Sequence, residues 1–240
     1  MPPGRTWEQS WEESSGMLKK EMIIEAIVRQ GVLPLYFHPE EATCTGVMES
    51  LYASGVRVLE FTNRGRQALK NFKAMKKTAQ KEFPDLLLGM GTVNDSKTAA
   101  ECVRLGVDFL VSPGFLPRLA RFAKKENILW IPGCFSPTEL ADAQAAGLKL
   151  VKIFPAQVLG PAFVRSVREV FPDLLFMPTG GIETTNLEVW FRSGVSAVGM
   201  GGSLISREIL EKKDFSQLAL KTDTVMKKIA AEKSRIQTWR

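Results

Sequence analysis

The sequence predicts an α/β protein whose single domain is a (β/α)8 TIM barrel with an N-terminal helical extension. Short runs rich in Val, Ile, Leu and Phe alternate along the chain with amphipathic helical patterns, and eight such units fit within the 240 residues. Alternating strands and helices imply right-handed crossovers and a parallel sheet. Eight units favour a closed barrel. An open doubly wound sheet is the alternative, because one strand missed or added would change the count.

The predicted strands are apolar runs that recur at intervals of roughly 20 to 30 residues. Runs of this length between turn-forming residues are typical of buried strands. In chain order they are VLPLYF, VRVLEFT, LLLGMGT, DFLVSP, ILWIPGC, LKLVKIFP, LLFMPTGG and AVGMGGS.

The segments between the strands have helical periodicity. In chain order they are EEATCTGVMESLYASG, RQALKNFKAMKKTAQKE, DSKTAAECVRLG, LPRLARFAKKEN, SPTELADAQAAG, PAFVRSVREVF and TTNLEVWFRSG. Glycine is a common stop signal at the end of a helix. Four of these helices are therefore predicted to end at Gly55, Gly106, Gly147 and Gly194.

The N-terminus, MPPGRTWEQSWEESSG, is polar and lacks the apolar core of a secretory signal. We predict that residues 1–16 form a polar extension, that Met17 opens the first helix, and that residues 17–240 form the barrel domain. No change of composition divides the rest of the chain.

Composition and charge exclude several classes of protein. The chain is 45% hydrophobic and 24% charged, as in ordinary globular proteins. No apolar run reaches about 18 residues, so no membrane partner is predicted. The net charge of +6 would suit a nucleic-acid partner. The basic residues are scattered, however, and their densest groups, KNFKAMKK and KKIAAEKSR, have the spacing of solvated helix faces, so no nucleic-acid partner is predicted.

The cysteines and the histidine give no sign of a metal or a cofactor. Cys44, Cys102 and Cys134 are odd in number and lack metal-ligand spacing, which favours reduced thiols in the cytoplasm. His38 has no second ligand at a suitable spacing and cannot be assembled into a catalytic triad. We therefore predict no metal and no cofactor.

Lys152 interrupts the apolar run LKLVKIFPA near the end of the sixth predicted strand. Side chains alternate along a strand, so Leu150, Lys152 and Phe154 share one face. Lys149 lies on the opposite face near the strand start, where a structural role is expected. Burying an unpaired ammonium costs several kcal/mol in order of magnitude, so Lys152 needs an explanation.

Glu60 occupies a comparable late position in the second predicted strand, VRVLEFT. Inward residues of even-numbered barrel strands contribute to the same layers, and active sites lie at the C-terminal ends of the strands. The sequence thus predicts that Glu60 and Lys152 face each other at the catalytic end of the barrel.

Two interpretations of Lys152 are open. In the structural one, Lys152 neutralises Glu60 or binds strand carbonyls. In the functional one, burial and a nearby cation favour a neutral amine that can attack a ketone. Arg64, four residues after Glu60, is the candidate cation, and Glu60 would move protons during the reaction.

Two glycine-rich turns follow the last two predicted strands, PTGGI and GMGGSLI. Loops at these positions of a barrel often bind phosphate through backbone amides. The pair of turns predicts a phosphate or carboxylate site to which Ser203 adds a hydroxyl donor. Thr92, in GMGT, lies at the same rim, either as a site residue or as a strand terminus bonded to backbone.

Together the segments VRVLEFTNR, GMGTV, IPGCFSPTEL, VKIFPA, FMPTGGI and GMGGSLI resemble the 2-keto-3-deoxy-6-phosphogluconate (KDPG) / 4-hydroxy-2-oxoglutarate (KHG) aldolase family. The match runs in order from about Leu33 to Ile205. The resemblance implies a class I aldolase on a (β/α)8 barrel, a homotrimer that needs no metal.

The resemblance also implies roles for individual residues. Lys152 would form the Schiff base, and Glu60 would be the general acid and base. The substrate-binding residues would be Arg64, Thr92, Thr179 and Phe154, with Arg64 and Thr92 at the pyruvyl carboxylate and Thr179 influencing stereochemistry. The residues that bind phosphate would be Gly180, Gly181, Gly201, Gly202 and Ser203.

Two features depart from the family pattern. Phe37 stands late in the first strand, where some members carry an arginine, and EFTNRG replaces the more familiar threonine-leucine-arginine sequence. The Glu-to-Arg spacing survives. These changes leave the lysine chemistry intact and affect the part of the site that holds the distal half of the substrate.

The sequence therefore predicts reversible cleavage of a 2-keto-3-deoxy-6-phospho sugar acid to pyruvate and an aldehyde such as glyceraldehyde 3-phosphate. The preferred C4 epimer, and whether unphosphorylated KHG is an equal substrate, stay open. Two alternatives are a phosphate-binding barrel isomerase or synthase that uses Lys152 only as a charge, and a phospho-sugar-binding protein without turnover.

Overall fold

The computed structural model describes residues 7–237. The first helix, α1, spans Trp7–Gln30, so the prediction that Met17 opens it was wrong. Residues 1–6 of the predicted extension lie outside the described residues. Further along, α1 packs Ile23, Ile24 and Ile27 against apolar side chains of the strands.

The strands are parallel, as the alternating pattern predicted, but they form two sheets and not the single closed sheet of a barrel. The strands are β1 (Val32–Tyr36), β2 (Val58–Thr62), β3 (Leu87–Gly91), β4 (Phe109–Val111), β5 (Leu129–Ile131), β6 (Gly133–Cys134), β7 (Leu150–Ile153), β8 (Leu175–Pro178) and β9 (Val198–Met200). One sheet has the order β5-β4-β3-β2-β1-β9 and the other β6-β7-β8. All of these pairs are parallel.

The predicted strand ILWIPGC is divided into β5 and β6 at Pro132, which has no N–H to donate to a ladder. The carbonyl of Pro132 accepts from the backbone N–H of Lys152 at 2.8 Å, and Gly133 N–H donates to Ser112 O at 2.9 Å. At the other edge of the smaller sheet, Thr179 forms a parallel bridge with Gly199. The two sheets therefore meet along both edges of the smaller one.

Helices connect the strands. They are α2 (Glu41–Ala53), α3 (Ala68–Glu82), α4 (Ser96–Arg104), α5 (Pro117–Lys125), α6 (Pro137–Ala145), α7 (Ala156–Val170), α8 (Leu187–Arg192), α9 (Arg207–Lys212) and α10 (Phe215–Gln237). The four predicted glycine stops all have positive φ, between 76° and 91°, which confirms them. None of the helices within residues 7–237 is long and apolar enough to cross a membrane.

The core has two parts that follow the alternation of side chains along the strands. The larger cluster lies between strands and helices and includes Phe61, Trp130 and Phe176. The smaller one contains residues from the opposite strand faces, such as Leu33 and Leu150, with the isoleucines of α1. Gln30 joins α1 to β1 and β2, since its amide binds the backbone of Val32, Arg57 and Val58. The start of the strands is thereby covered, and the opposite end is left for a site.

Candidate active site

Lys152 lies near the C-terminal end of β7, where active sites of parallel α/β folds occur. Only 6% of its surface is exposed. It is in register with Gly133 on one side and Met177 on the other. Its Nζ lies 4.9 Å from the centroid of the Phe154 ring, within cation–π range. The amine thus lies in an apolar part of the strand end, as the sequence predicted.

Glu60, near the end of β2, is 1% exposed, and its Oε2 has no hydrogen-bond partner among residues 7–237. Burial raises the pKa of Glu60, and the positive charges of Lys152 and Arg64 oppose this shift. The structure thus brings the acid, the lysine and the arginine into one electrostatic environment. A carboxyl group whose pKa is raised is suited to proton transfer nearer to neutral pH.

Glycines on neighbouring strands make room for two of these side chains. A methyl group built on Gly91 would overlap Glu60 Oε1, and one built on Gly199 would overlap Thr179 Oγ1. Each of these two side chains therefore lies across a glycine of the next strand. The sequence analysis did not identify this role of Gly91 and Gly199.

Thr179, directly after β8, is 4% exposed, and its Oγ1 also lacks a hydrogen-bond partner in the described part of the chain. Buried polar atoms are nearly always hydrogen-bonded in proteins. The unpartnered oxygens of Glu60 and Thr179 are therefore suited to bind polar atoms of a ligand.

Arg64, Thr92 and Phe154 lie at the open end of the strands. Arg64 is exposed on the loop after β2, and no ion pair to it is found within residues 7–237. Thr92 follows β3 with a φ of 59°, a conformation that costs a β-branched residue free energy and occurs at functional sites. Phe154 is half-buried beneath the Lys152 amine.

Phe37, where some family members carry an arginine, packs inside this rim. Its ring centroid lies 5.8 Å from that of Phe61, and a methyl group on Gly65 would come within 2.5 Å of its Cζ. Gly65 is adjacent to Arg64, and Phe61 is adjacent to Glu60. The aromatic ring thus supports the loop that carries the cation, and adds no charge of its own.

The two predicted glycine turns approach each other at the ends of β8 and β9. Within residues 7–237, the backbone N–H groups of Gly180, Gly181, Gly202 and Ser203 have no hydrogen-bond partner. Free amides at such a position are suited to an anion. The Ser203 hydroxyl donates to Ile182 O at 2.6 Å, however, so it is not the free donor that the sequence predicted.

Gln157 was missed by the sequence analysis. It lies in the first turn of α7, and its side chain packs against Gly180 and Gly181. The predicted helix began at Pro161, because Gly160 and Pro161 interrupt the helical pattern of the sequence after the first turn of α7. Gly160 has non-helical φ and ψ of 73° and 167°. Its position in the sequence could have indicated it, since only Phe-Pro-Ala separates Gln157 from the end of β7, the strand that carries Lys152.

The remaining reactive side chains do not join this site. Burial raises the pKa of the Cys44 thiol to about 11 and those of Cys102 and Cys134 to about 12, so they are not thiolates at neutral pH. His38 accepts a hydrogen bond from the backbone of Glu40. In the described part of the chain, no three His, Cys, Asp or Glu residues are grouped to hold a metal.

Comparison with known proteins identifies close relatives of the chain. The model of the family "KDPG and KHG aldolase" matches residues 23–220. The 2-dehydro-3-deoxy-phosphogluconate aldolase of Pseudomonas aeruginosa is 32% identical over 83% of this chain and 90% of its own length. The KHG/KDPG aldolase of Escherichia coli K12 is 32% identical over 81% of this chain and 90% of its own.

Solved structures agree with the sequence relatives. The KDPG aldolase of Legionella pneumophila, crystallised with pyruvate captured as a covalent carbinolamine, aligns with a TM-score of 0.78 and 30% identity. The alignment covers 83% of this chain and 96% of that one. The residues matched by the family model include all nine strands and both glycine turns.

Proposed function

The chain belongs to the family of KDPG and KHG aldolases, and we propose that it is a class I aldolase that acts through Lys152 and Glu60. The reaction is the reversible cleavage of KDPG, a close epimer or KHG to pyruvate and an aldehyde. The aldehyde from KDPG is glyceraldehyde 3-phosphate. The observation that carries the assignment of residues is the buried Lys152 amine in the field of the buried Glu60 carboxyl group.

The reaction starts when the Lys152 amine attacks the C2 ketone of the substrate. The carbinolamine loses water and becomes an iminium ion. Glu60 then takes the proton of the C4 hydroxyl, the C3–C4 bond breaks, and its electron pair moves through C3 towards the iminium nitrogen. The aldehyde leaves, the enamine is protonated at C3, and hydrolysis releases pyruvate and the free amine.

The rim residues hold the substrate in this scheme. Arg64 binds the 2-keto acid carboxylate, and Thr92 holds the neighbouring oxygens. Phe154 forms the apolar wall beside the amine, and Thr179 Oγ1 contacts the substrate near the atoms whose stereochemistry distinguishes the epimers. The unpartnered hydroxyl of Thr179 and the exposed cation of Arg64 support these roles.

A phosphate on the substrate would lie at the two glycine turns. The free amides of Gly180, Gly181, Gly202 and Ser203 supply donors, with Gly201 completing the second turn. Gly202 has open space beside its α carbon, so an oxygen can approach the backbone closely. These observations support the anion site alone, and they do not depend on the chemistry of Lys152.

Trapping with borohydride tests the proposed chemistry. Incubation of the protein with pyruvate and borohydride is expected to reduce the Schiff base to a stable secondary amine on Lys152, which peptide mass spectrometry locates. A parallel assay couples pyruvate release to lactate dehydrogenase for KDPG, its C4 epimer and KHG. A folded protein that forms no adduct and releases no pyruvate would refute the proposal.

Replacing Gly91 by Ala is expected to lower kcat/KM by about 10- to 100-fold, because the new methyl group displaces the Glu60 carboxylate from its position. Gly91 has no left-handed backbone, so Ala fits its conformation. Gly114→Ala is the matched control, since nothing lies within 4 Å of a methyl group there. Equal activities of the two variants would show that Gly91 does not position Glu60.

We also propose that the two sheets complete a closed (β/α)8 barrel, with β5 and β6 counting as one strand interrupted at Pro132. The contacts at both edges of the smaller sheet support this, as does the position of Glu60 and Lys152 in one environment. Residues 1–16 would then be an extension to the barrel domain.

A homotrimer is the proposed assembly. Support comes from two exposed apolar side chains, Phe135 between β6 and α6 at 45% exposure and Val158 in the first turn of α7 at 66%. Light scattering is expected to give three times the chain mass of 26.7 kDa. Aspartate at both positions should reduce that mass. A wild-type mass of one chain at micromolar concentration would contradict the trimer.

The proposed location is the cytoplasm. All three cysteines are free and buried, which fits a reducing compartment. Antibody detection after cell fractionation would test it, and recovery of the protein outside the cytoplasmic fraction would contradict it.

A further inference from the structure

We propose that Phe37 and Asn71 are positioning residues that hold Arg64 in place for the carboxylate of the 2-keto acid. Both act through Arg64, to which the proposed aldolase function gives that carboxylate, so their role rests on that function. Contacts between the loops that follow β1 and β2 support it.

Arg64 is held through its backbone and not through its side chain. In the part of the chain that the structure describes, its guanidinium group has no hydrogen-bond or ion-pair partner. Its backbone N–H donates to Thr62 O at 2.9 Å, and the N–H of Asn63 donates to Gly91 O at 2.8 Å. The positive charge of Arg64 reaches the site, since it opposes the rise in the pKa of Glu60. A side chain loses conformational freedom when it binds a ligand, so a firmly held backbone beneath it favours binding.

The ring of Phe37 packs against the α carbon of Gly65, the residue after Arg64. A methyl group built on Gly65 would lie 2.5 Å from Phe37 Cζ and 3.0 Å from its Cε1, so glycine is what leaves room for the ring. The ring also contacts that of Phe61, with the centroids 5.8 Å apart and the planes at 50°. Phe37 thus connects the core to the loop that carries Arg64.

A buried amide joins the loop after β1 to α3. Asn71 is 2% exposed and lies near the start of α3, the helix into which the loop of Arg64 leads. Its Nδ2 donates to His38 O at 3.1 Å and to Pro39 O at 2.9 Å. These two residues directly follow Phe37, so Asn71 fixes the segment of chain that carries the ring.

The residue before Phe37 is held as well. Thr62, at the end of β2, is 1% exposed and donates its hydroxyl to Tyr36 O at 3.2 Å. The chain on both sides of Phe37 is therefore bound to β2 or to α3. The loop of Arg64 lies between these two elements, so the two loops form one connected unit.

The aromatic ring also explains the departure from the family pattern at residue 37, where some members carry an arginine. A phenyl ring has no polar atom that competes for the carboxylate, so recognition of that group is left to Arg64. In this chain, residue 37 therefore supports the loop and supplies no charge.

The experiment compares pyruvate with pyruvamide, a neutral 2-keto amide of similar size that lacks the carboxylate. Borohydride trapping on Lys152 is measured over a range of ligand concentrations for the wild type, Phe37→Ala, Asn71→Leu, Arg64→Ala and the double variant Phe37→Ala/Arg64→Ala. Leucine keeps the branched shape of asparagine and removes its N–H groups. A melting temperature for each variant shows that it is folded. If Asn71→Leu does not fold, the three variants of Phe37 and Arg64 decide the question.

Phe83→Ala is the matched control. Phe83 is half-buried like Phe37, and its ring lies 4.4 Å from that of Tyr52, centroid to centroid. It lies between α3 and the start of β3, at the end of the strands opposite to the site. The substitution therefore removes similar aromatic packing without touching the loop of Arg64.

We expect Phe37→Ala and Asn71→Leu each to raise the half-saturating concentration of pyruvate by about tenfold, the scale of one hydrogen bond to a charged group, and to leave that of pyruvamide within about twofold. The double variant should bind pyruvate no more weakly than Arg64→Ala alone, because residues that act through one another are not additive. Phe83→Ala should match the wild type for both ligands.

Three results would overturn the role of Phe37 and Asn71 while leaving the aldolase function intact. They are an unchanged pyruvate value in Phe37→Ala or Arg64→Ala, equal losses for both ligands, and additive losses in the double variant. A folded wild type that forms no adduct with either ligand would overturn the function and this inference together.

Discussion

Lys152→Arg is expected to abolish pyruvate release, with a loss of roughly 10⁴-fold or more, the scale seen when other enzymes lose their nucleophile. Arginine keeps the positive charge and much of the length of the side chain, but its guanidinium group is not a nucleophile at accessible pH. The variant should therefore form no adduct with pyruvate and borohydride. The coupled pyruvate assay and intact-protein mass spectrometry measure both effects.

A second lysine in the same run provides a matched control. Lys149 is exposed and pairs with Glu21 of α1 at 2.7 Å, at the start of the strand that carries Lys152 near its end. Lys149→Arg makes the same chemical change and should retain full activity and full adduct formation. Activity in Lys152→Arg close to that of Lys149→Arg would show that Lys152 acts only as a charge, as in an isomerase or synthase.

The period of the strands explains why these two lysines could be separated from sequence alone. Alternation placed Lys152 on the same face as Leu150 and Lys149 on the other, and the structure has Leu150 and Lys152 buried and Lys149 paired with α1. The same alternation placed Glu60 in phase with Val58. A charged residue inside an apolar strand seldom has a purely structural explanation, so its position is informative about the functional site.

Contacts of single residues, several of them between distant parts of the chain, limited what could be predicted from the sequence. Pro132 divides one strand into two, because an absent N–H breaks the ladder at a single residue. The Ser203 hydroxyl binds Ile182, a partner 21 residues away in the chain that periodicity does not reveal. The packing of Gly91 against Glu60, and of Gln157 against the first glycine turn, depends on which residue lies opposite on the neighbouring element. Pairings of this kind follow from register, and register is known only once the strands are placed.

Glu60→Gln is expected to lower kcat by about 10²- to 10⁴-fold, the usual contribution of a general acid or base, because the amide cannot accept the C4 hydroxyl proton. Lys152 remains in this variant, so borohydride should still trap pyruvate. Loss of turnover with retention of the adduct would separate the proton-transfer step from Schiff-base formation. Glu21→Gln, which removes a carboxylate at the opposite end of the strands, is the control and should be fully active.

The pH dependence of the wild type gives an independent check on Glu60. Burial raises the pKa of Glu60 above 4.5. The acid limb of the kcat/KM profile should therefore lie at a higher pH than the pKa of a free glutamate, and this limb should be absent in Glu60→Gln.

The stability of the protein should also depend on Glu60. A raised pKa means that the folded state binds this proton more tightly than the unfolded one, so ionising Glu60 lowers stability as pH rises through its folded pKa. Glu60→Gln removes that cost, and its melting temperature at neutral pH should equal or exceed that of the wild type. A lower melting temperature would show that the attraction of Glu60 to the positive charges of Lys152 and Arg64 outweighs the cost of burying its charge.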